Sequence, residues 1–354
     1  MILINGNFLC RNLTGIERFA WETCKRLDKL LTQKDDVRIL VPANAKNFPE
    51  FVNIKLIISD KEVHGFPKWD LIEFKKACKK LGAVGLNFSN TAPLGKYCGY
   101  AFLHDIYAKD FPQDLTSKKD TLIKLYCRLN YRNIAKHAKK VITVSNFSKS
   151  QIQKAYKVPD ERIEVVPNGW EHFSEIQPDE SIFEKFPSLI KGGYYFTLGS
   201  LQKRKNLKWI AEYAKNHPED VFAISGKAIS GMISDNLRDL QTLKNVTLLG
   251  YVSDEEVKSL MKNCKAFVFP SYYEGFGIPP LEALSTGAKI IIADSASLPE
   301  IYGKTATYIK ADSAECDLNQ LISEQTEDSA QVLNTYTYNN AAEKLYKIIT
   351  GGEK

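Results

Sequence analysis

The feature that most limits what this chain can become is a succession of short apolar runs separated by longer amphipathic stretches. In the first half MILINGNF, VRILVPA, KLIIS, AVGLNFS, YAFLHD, KVITVS and IEVVPNG read as buried strands; in the second, YYFTLGS, VFAISG, VTLLG, AFVFPS, KIIIAD and ATYIKA do the same. Strands buried on both faces belong to parallel sheets, whose crossovers cover each face with helices. At 354 residues the chain suits about two such domains, each able to bury its own core. The expected fold is α/β, with Rossmann-like domains at 1–170 and 193–335. Residues 171–192 suit a connector, being polar and interrupted by two prolines. Residues 336–354 have helical periodicity and are expected to return to the first domain.

Several function classes drop out on composition. No apolar run nears the roughly 20 residues of a membrane span, and MILINGNF lacks the basic-then-apolar order of a signal peptide, so a cytoplasmic protein is expected. Seven cysteines, odd in number and without a C-x-x-C pair, fit reduced thiols better than disulfides or zinc. The net charge of +6 is uneven: residues 1–170 hold 29 Lys+Arg against 17 Asp+Glu, and the remainder holds 19 against 25. The basic character belongs to the first half, but no nucleic-acid module accompanies it.

Ligands of open α/β sheets bind beyond the carboxyl ends of the strands. After AFVFP comes SYYEGFGIPPLEAL, with Glu274 and Glu282 eight positions apart. One helix cannot carry both, because Pro279 and Pro280 would sit in its interior at about 3 kcal/mol each. The strand should therefore end near Pro270, and a helix should begin at Pro279 or Pro280 and close at Gly287, with Glu282 in its first turn. Gly275 and Gly277 permit close backbone approach, and the helix amino terminus favours a bound anion. The alternative is a surface acid and a dipole-complementing acid worth about 0.3–1 kcal/mol.

LGSLQKRKNL also follows a strand and opens a helix. Arg204 and Lys205 there place two cations at a helix amino terminus, unfavourable unless an anion is bound; solvated surface charge is the alternative. RNLTGIERFAWE sets Gly15, then Arg18, between the first strand and a helix, where a tight turn alone would also explain the glycine. In GYAFLHDIY, His104 and Asp105 end a strand, either facing a ligand or serving structure. His64, His137, His172 and His217 have no companions and receive no role. The chain holds no Walker-type loop, no Ser-His-Asp elbow and no D-x-D, so a common way of holding a metal-bound sugar nucleotide is missing.

Together these stretches resemble the family 4 retaining glycosyltransferases of the GT-B fold, in the bacterial surface-polysaccharide type. The strongest element is EGFGIPPLEALSTG, which resembles the family's E-x7-E signature; TGIERF, the His104-Asp105 pair, VSNFSK, VVPNG, RKN, GYVSDEE and SLPEIYG follow in the family's order. The resemblance implies two Rossmann-like domains facing a central cleft. Glu282 would bind ribose hydroxyls and Glu274 would lie beside the donor sugar. The backbone of Gly275, Phe276, Gly277 and Ile278 would meet sugar and diphosphate, with Arg204 and Lys205 neutralising phosphate. Gly15 would approach the phosphate from the opposite domain, and His104 would sit near the reacting sugar. Many members carry G-R-L where this chain has Gly199-Ser200-Leu201, so one phosphate contact is replaced, with Arg204 a substitute.

The implied chemistry is transfer of a hexose or deoxyhexose from a nucleotide-diphosphate sugar to a hydroxyl of a glycan or lipid-linked acceptor. Neither metal nor cofactor is called for, and the departing diphosphate would take the acceptor proton. A sugar-nucleotide epimerase and a catalytically silent partner subunit are the competing readings. Residues 115–140 repeat Lys124, Arg128, Arg132, Lys136 and Lys140 every four positions, with Leu122, Leu125, Tyr126 and Leu129 on an apolar side. Such a helix either lies on anionic membrane at the inner face of the cell or covers the core.

Overall fold

The computed structural model describes all residues except 14, 116–117, 199–201, 227–234 and 353–354. Gly199 thus falls outside the described residues. The chain divides into two compact units, Met1–Gly169 with Tyr336–Lys354, and Trp170–Thr335.

Unit 1 contains strands β1 (Ile2–Asn5), β2 (Val37–Val41), β3 (Lys55–Ile58), β4 (Val84–Asn87), β5 (Tyr100–Phe102), β6 (Lys140–Thr143) and β7 (Ile163–Val165). Unit 2 contains β8 (Tyr194–Leu198), β9 (Val221–Ser225), β10 (Val246–Gly250), β11 (Ala266–Phe269), β12 (Ile290–Ala293) and β13 (Thr307–Ile309). Every strand falls inside an apolar run named above, and all pair in parallel. The spatial orders are β3-β2-β1-β4-β5-β6-β7 and β10-β9-β8-β11-β12-β13. In both sheets the winding reverses once, between β1 and β4 and between β8 and β11. A reversal opens a crevice at the carboxyl ends of the two flanking strands.

Helix α1 (Ile16–Leu30) buries Phe19, Ala20, Cys24 and Leu27 against the first sheet. Phe19 meets Phe102 edge-on with centroids 5.1 Å apart, and Phe88 stacks on Phe102 at the same spacing. Each such ring contributes about 1.5–3 kcal/mol by leaving water. The closing helix, Tyr338–Thr350, packs along α1: Tyr338 lies 6.3 Å from Phe19, and Arg26 sits 5.5 Å over the Tyr338 ring. The 171–192 segment folds onto unit 2, where Lys258 Nζ donates to the carbonyls of Phe173 and Ile176. No helix among the described residues is long and apolar enough to cross a membrane.

Helix α2 (Lys118–His137) turns Asn130, Tyr131, Ile134 and Ala135 inward. Leu122, Leu125 and Leu129 are 71%, 57% and 57% exposed, so this apolar side does not cover the core.

Candidate functional site

In unit 2 the sequence builds a charged centre at the sheet reversal. The segment after β8 forms a single 3-10 turn, Lys203–Lys205, before the helix Leu207–Asn216, and the segment after β11 carries Glu274. Arg204 Nη1 lies 2.5 Å from Glu274 Oε2, and Lys205 Nζ lies 2.7 Å from Oε1. Ser271 Oγ donates to Glu274 Oε1 at 2.6 Å. All three charged side chains are largely enclosed, Glu274 most deeply. Burial alone would push the Glu274 carboxyl up, but Arg204 and Lys205 outweigh it and, with hydrogen bonds from Lys205 and Ser271, hold it down at about 2. The anion demanded by two cations at a helix start is therefore supplied by the chain itself.

The loop from Glu274 onward is fixed from outside. Ser297 Oγ donates to the carbonyls of Glu274 and Phe276 at 2.9 and 3.1 Å, and the Tyr302 hydroxyl donates to the Gly277 carbonyl. Gly277 has φ +93°, and a Cβ there would stand 2.6 Å from Leu298 Cδ2, so any other residue would be strained and would displace Leu298. Helix α3 (Ile278–Ser285) follows. It starts at Ile278 and not at a proline, because the left-handed Gly277 makes the turn and frees Ile278 for the first position. Glu282 is accordingly its fifth residue, in the second turn and not the first. Since Pro279 and Pro280 lack an N–H, the amide donors that the first turn of α3 offers an anion narrow to Ile278 and Leu281.

Glu282 is tied separately from Glu274. Its Oε1 lies 3.0 Å from Nε2 of His172, a buried residue of the short helix Glu171–Ser174. His172 received no role from the sequence; 110 positions separate it from Glu282, and no local pattern links them.

In unit 1, His104 and Asp105 follow β5. The His104 ring is buried between Phe102, stacked at 5.5 Å, and Phe19 of α1, edge-on at 5.3 Å. Its Nε2 lies 2.8 Å from the Phe88 carbonyl, which can only accept, so the proton resides on Nε2 and Nδ1 is the acceptor. Burial drives the imidazole down to about 4, against the opposing effects of the Phe88 carbonyl and Asp105, so the ring is neutral near pH 7. Asp105 accepts from Tyr107 N at 2.9 Å, closing a local turn. Gly15 caps α1 at φ +50° with open space where a Cβ would stand, and Arg18 lies half-buried in the same first turn. The structure thus groups Glu274 with Arg204, Lys205, Gly275, Phe276, Gly277 and Ile278 in unit 2. It gathers His104 and Asp105 near the helix bearing Gly15 and Arg18 in unit 1.

In unit 1 a groove of about 440 Å³ runs beside α2, lined by Lys109, Lys124, Leu125, Arg128, Leu129 and Tyr156 among others.

Two family models match the chain: Glycosyltransferase Family 4 over residues 13–172, and Glycosyl transferases group 1 over residues 179–344. The chain is 28% identical over 238 residues to the O-antigen chain mannosyltransferase RfbU of Salmonella typhimurium, covering 66% of this chain and 63% of that one. It therefore spans somewhat less than two thirds of that relative's length. It is 29% identical over 287 residues to UDP-Gal:alpha-D-GlcNAc-diphosphoundecaprenol alpha-1,3-galactosyltransferase of Escherichia coli, covering 77% and 70%. Among solved structures, sucrose-phosphate synthase from Thermosynechococcus elongatus superposes with a TM-score of 0.72 over 99% of each chain at 14% identity, a likeness of fold.

Proposed function

The chain belongs to the glycosyltransferases that join a family 4 domain to a group 1 domain, with GT-B architecture, and we propose that it transfers a hexose or deoxyhexose from a nucleotide-diphosphate sugar to a hydroxyl of a glycan or lipid-linked glycan in bacterial surface-polysaccharide assembly. The observation that carries this reading is the enclosed triad of Glu274, Arg204 and Lys205 at the reversal of the second sheet. Two cations held by one buried carboxylate are a ready counter-charge for a diphosphate, and their fixed positions require little reorganisation as charge develops on the leaving group. The names of the mannosyl and galactosyl relatives support the substrate class.

In the proposed reaction the bond from the anomeric carbon to the diphosphate oxygen breaks while the acceptor oxygen bonds to that carbon on the same face. The hydroxyl proton passes to the departing diphosphate, and configuration is retained. Arg204 and Lys205 neutralise the diphosphate without a metal or other cofactor, and Glu274 orients them beside the donor sugar. Glu282, steadied by His172 at one oxygen, accepts from ribose hydroxyls at the other. The neutral His104 accepts a sugar hydroxyl through Nδ1, and Gly15, Arg18 and Asp105 complete that side. We further assign reversible contact with anionic membrane to α2, whose exposed leucines lie beside Lys124, Arg128 and Arg132; the enzyme would then act from the cytoplasmic face.

Incubation with UDP-, GDP-, dTDP- and ADP-sugars, with and without oligosaccharide acceptors, tests the reading. Acceptor-dependent release of nucleoside diphosphate with a retained anomeric NMR signal is the expected result, and Lys205→Ala should lower its rate at least 100-fold. An interconverted donor without release would mark an epimerase, and neither outcome a silent subunit. Unchanged turnover in Lys205→Ala would remove the diphosphate role.

A further inference from the structure

Unit 1 carries a second buried acid that the proposed reaction leaves unused. Asp70 is fully buried in a π-helical turn, Trp69–Phe74, an uncommon geometry often found at functional positions. Its Oδ1 accepts from Asn5 Nδ2 at 2.8 Å and Asn7 Nδ2 at 3.2 Å, and its Oδ2 accepts from Thr91 Oγ1 at 2.6 Å. Asn5 ends β1, and Thr91 lies in the loop after β4, so one carboxylate joins the two segments that flank the reversal of the first sheet.

That loop is the one that holds His104. The Phe88 carbonyl meets His104 Nε2 at 2.8 Å, and Asn90 Oδ1 accepts the His104 backbone N–H at 2.8 Å. Ser89 Oγ donates to Asn7, and Asn133 of α2 brackets the far end through Pro93 O and Gly95 N, both at 3.0 Å. We infer that Asp70 is a positioning residue for the site in unit 1: by clamping the loop after β4 it fixes the ring of His104 and the direction of its Nδ1. The inference rests on the proposed role of His104.

The alternative is plain structural filling, and the chemistry argues against it. Asp70 has no ion-pair partner among the described residues, and an apolar side chain of its size would avoid the penalty of burying a carboxylate. What a carboxylate adds is two acceptor oxygens with about four lone-pair sites, enough to fix three donors on two segments. Burial raises Asp70 to about 6, with Thr91, Asn5, Asn7 and the more distant Arg11 opposing; Tyr126 of α2 also faces it, its phenol pushed up by burial first and then by the Asp70 charge.

The test is imidazole NMR of the histidine-labelled full chain, with the His104 signal assigned by its loss in His104→Gln. In the wild type that signal should titrate near pH 4. In Asp70→Asn an amide replaces one acceptor, the loop shifts, and water reaches the ring. The His104 midpoint should then rise by at least one pH unit toward 6.5, while UDP raises the melting temperature as in the wild type. Asp70, raised to about 6, is already protonated at pH 4, so loss of its charge alone would leave the midpoint where it is, and a rise separates loop release from simple electrostatics. A folded Asp70→Asn with an unmoved or lowered His104 midpoint overturns the inference. If that variant does not fold, Thr91→Val, which removes only the hydroxyl linking Asp70 to the loop, decides by the same midpoint. This readout needs no turnover, so failure of the transferase assay and failure of the clamp are distinguishable.

Discussion

Each unit buries a carboxylate at the reversal of its sheet, and the two behave in opposite ways. Glu274 ties the segment after β11 to the segment after β8; Asp70 ties the segment after β4 to the end of β1. Desolvation pushes both carboxyls up. Beside Glu274, Arg204 and Lys205 reverse that push and hold it at about 2, whereas Asp70 meets only amides and a hydroxyl and rises to about 6. His104 is likewise driven toward its neutral form. The difference teaches that similar burial leaves a carboxyl well below or well above its ordinary range according to the partners supplied. On the function proposed above, unit 2 suits a diphosphate and unit 1 suits hydroxyls.

The strongest way to break this comparison is Glu274→Ala. It leaves two enclosed cations without their anion and should destabilise the chain by about 3–5 kcal/mol in urea titrations. Inorganic diphosphate should then raise the melting temperature of the variant more than that of the wild type, because the vacated cations take an anion. A cost below about 1 kcal/mol, with no diphosphate effect, would mean that the triad is not a charge store.

Much of this was legible in the sequence, for reasons that particular residues show. The strands were readable because each is an apolar run a few residues long, as in KIIIAD, and such runs need no distant partner to be recognised. The sequence also set Arg204 and Lys205 at a helix start, where they read as cations awaiting an anion or as solvated surface charge. It could not decide between them, because Glu274 lies 70 positions away. His172 stayed silent for the same reason, being local to nothing but its own short helix. Asp70 sits in PKWDLIEF, where an acid reads as the exposed face of an ordinary helix. Its partners are as distant, the asparagines 63 and 65 positions away and Thr91 21 away. The prolines place the start of α3 at Pro279 or Pro280, one or two residues late, because a left-handed glycine can replace proline as the signal for the first turn.

The comparison also has a signature in pH. Glu274, held below its ordinary 4.5, adds stability that is full above about 4.5 and is lost as pH falls toward 2. Asp70, raised above its ordinary 3.8, adds stability that is full below about 4 and is lost as pH rises through 6. His104, lowered from 6.5, adds stability that is full above 6.5 and is lost as pH falls toward 4. The last two therefore oppose each other between pH 4 and 6, each by about 3 kcal/mol. His104→Gln, which keeps a donor for the Phe88 carbonyl, should unmask Asp70. Hydrogen exchange of the β1 and β4 amides should show unit 1 losing stability from pH 4 to 6 in the variant, and little change in the wild type. A variant that gains stability over that range would reverse the assignment of the two groups.

A smaller effect separates the two site glycines. Gly277→Ala meets both a left-handed backbone and Leu298, and should cost about 1–3 kcal/mol in thermal unfolding. Gly15→Ala, also at positive φ but facing open space, should cost about 1 kcal/mol. Equal costs would show that the unit 2 loop yields as readily as the unit 1 turn.

The least effect on stability, and the sharpest surface contrast, concerns exposed apolar residues. Unit 2 leaves Ile190 73% and Tyr251 71% exposed at scattered positions, whereas Leu122, Leu125 and Leu129 of unit 1 form one stripe next to Lys124, Arg128 and Arg132. Isolated exposed side chains are ordinary, while an apolar stripe flanked by cations matches the boundary between lipid headgroups and acyl chains. Serine at each of these five positions should change folding stability by no more than about 0.5 kcal/mol. The three leucine substitutions together should reduce co-sedimentation with phosphatidylglycerol vesicles at least tenfold, and raising the salt concentration should weaken wild-type binding through the loss of charge attraction. Ile190→Ser and Tyr251→Ser should leave it unchanged. Equal losses from the two sets would show that no patterned surface distinguishes unit 1, and the basic excess of the first half would then need another explanation.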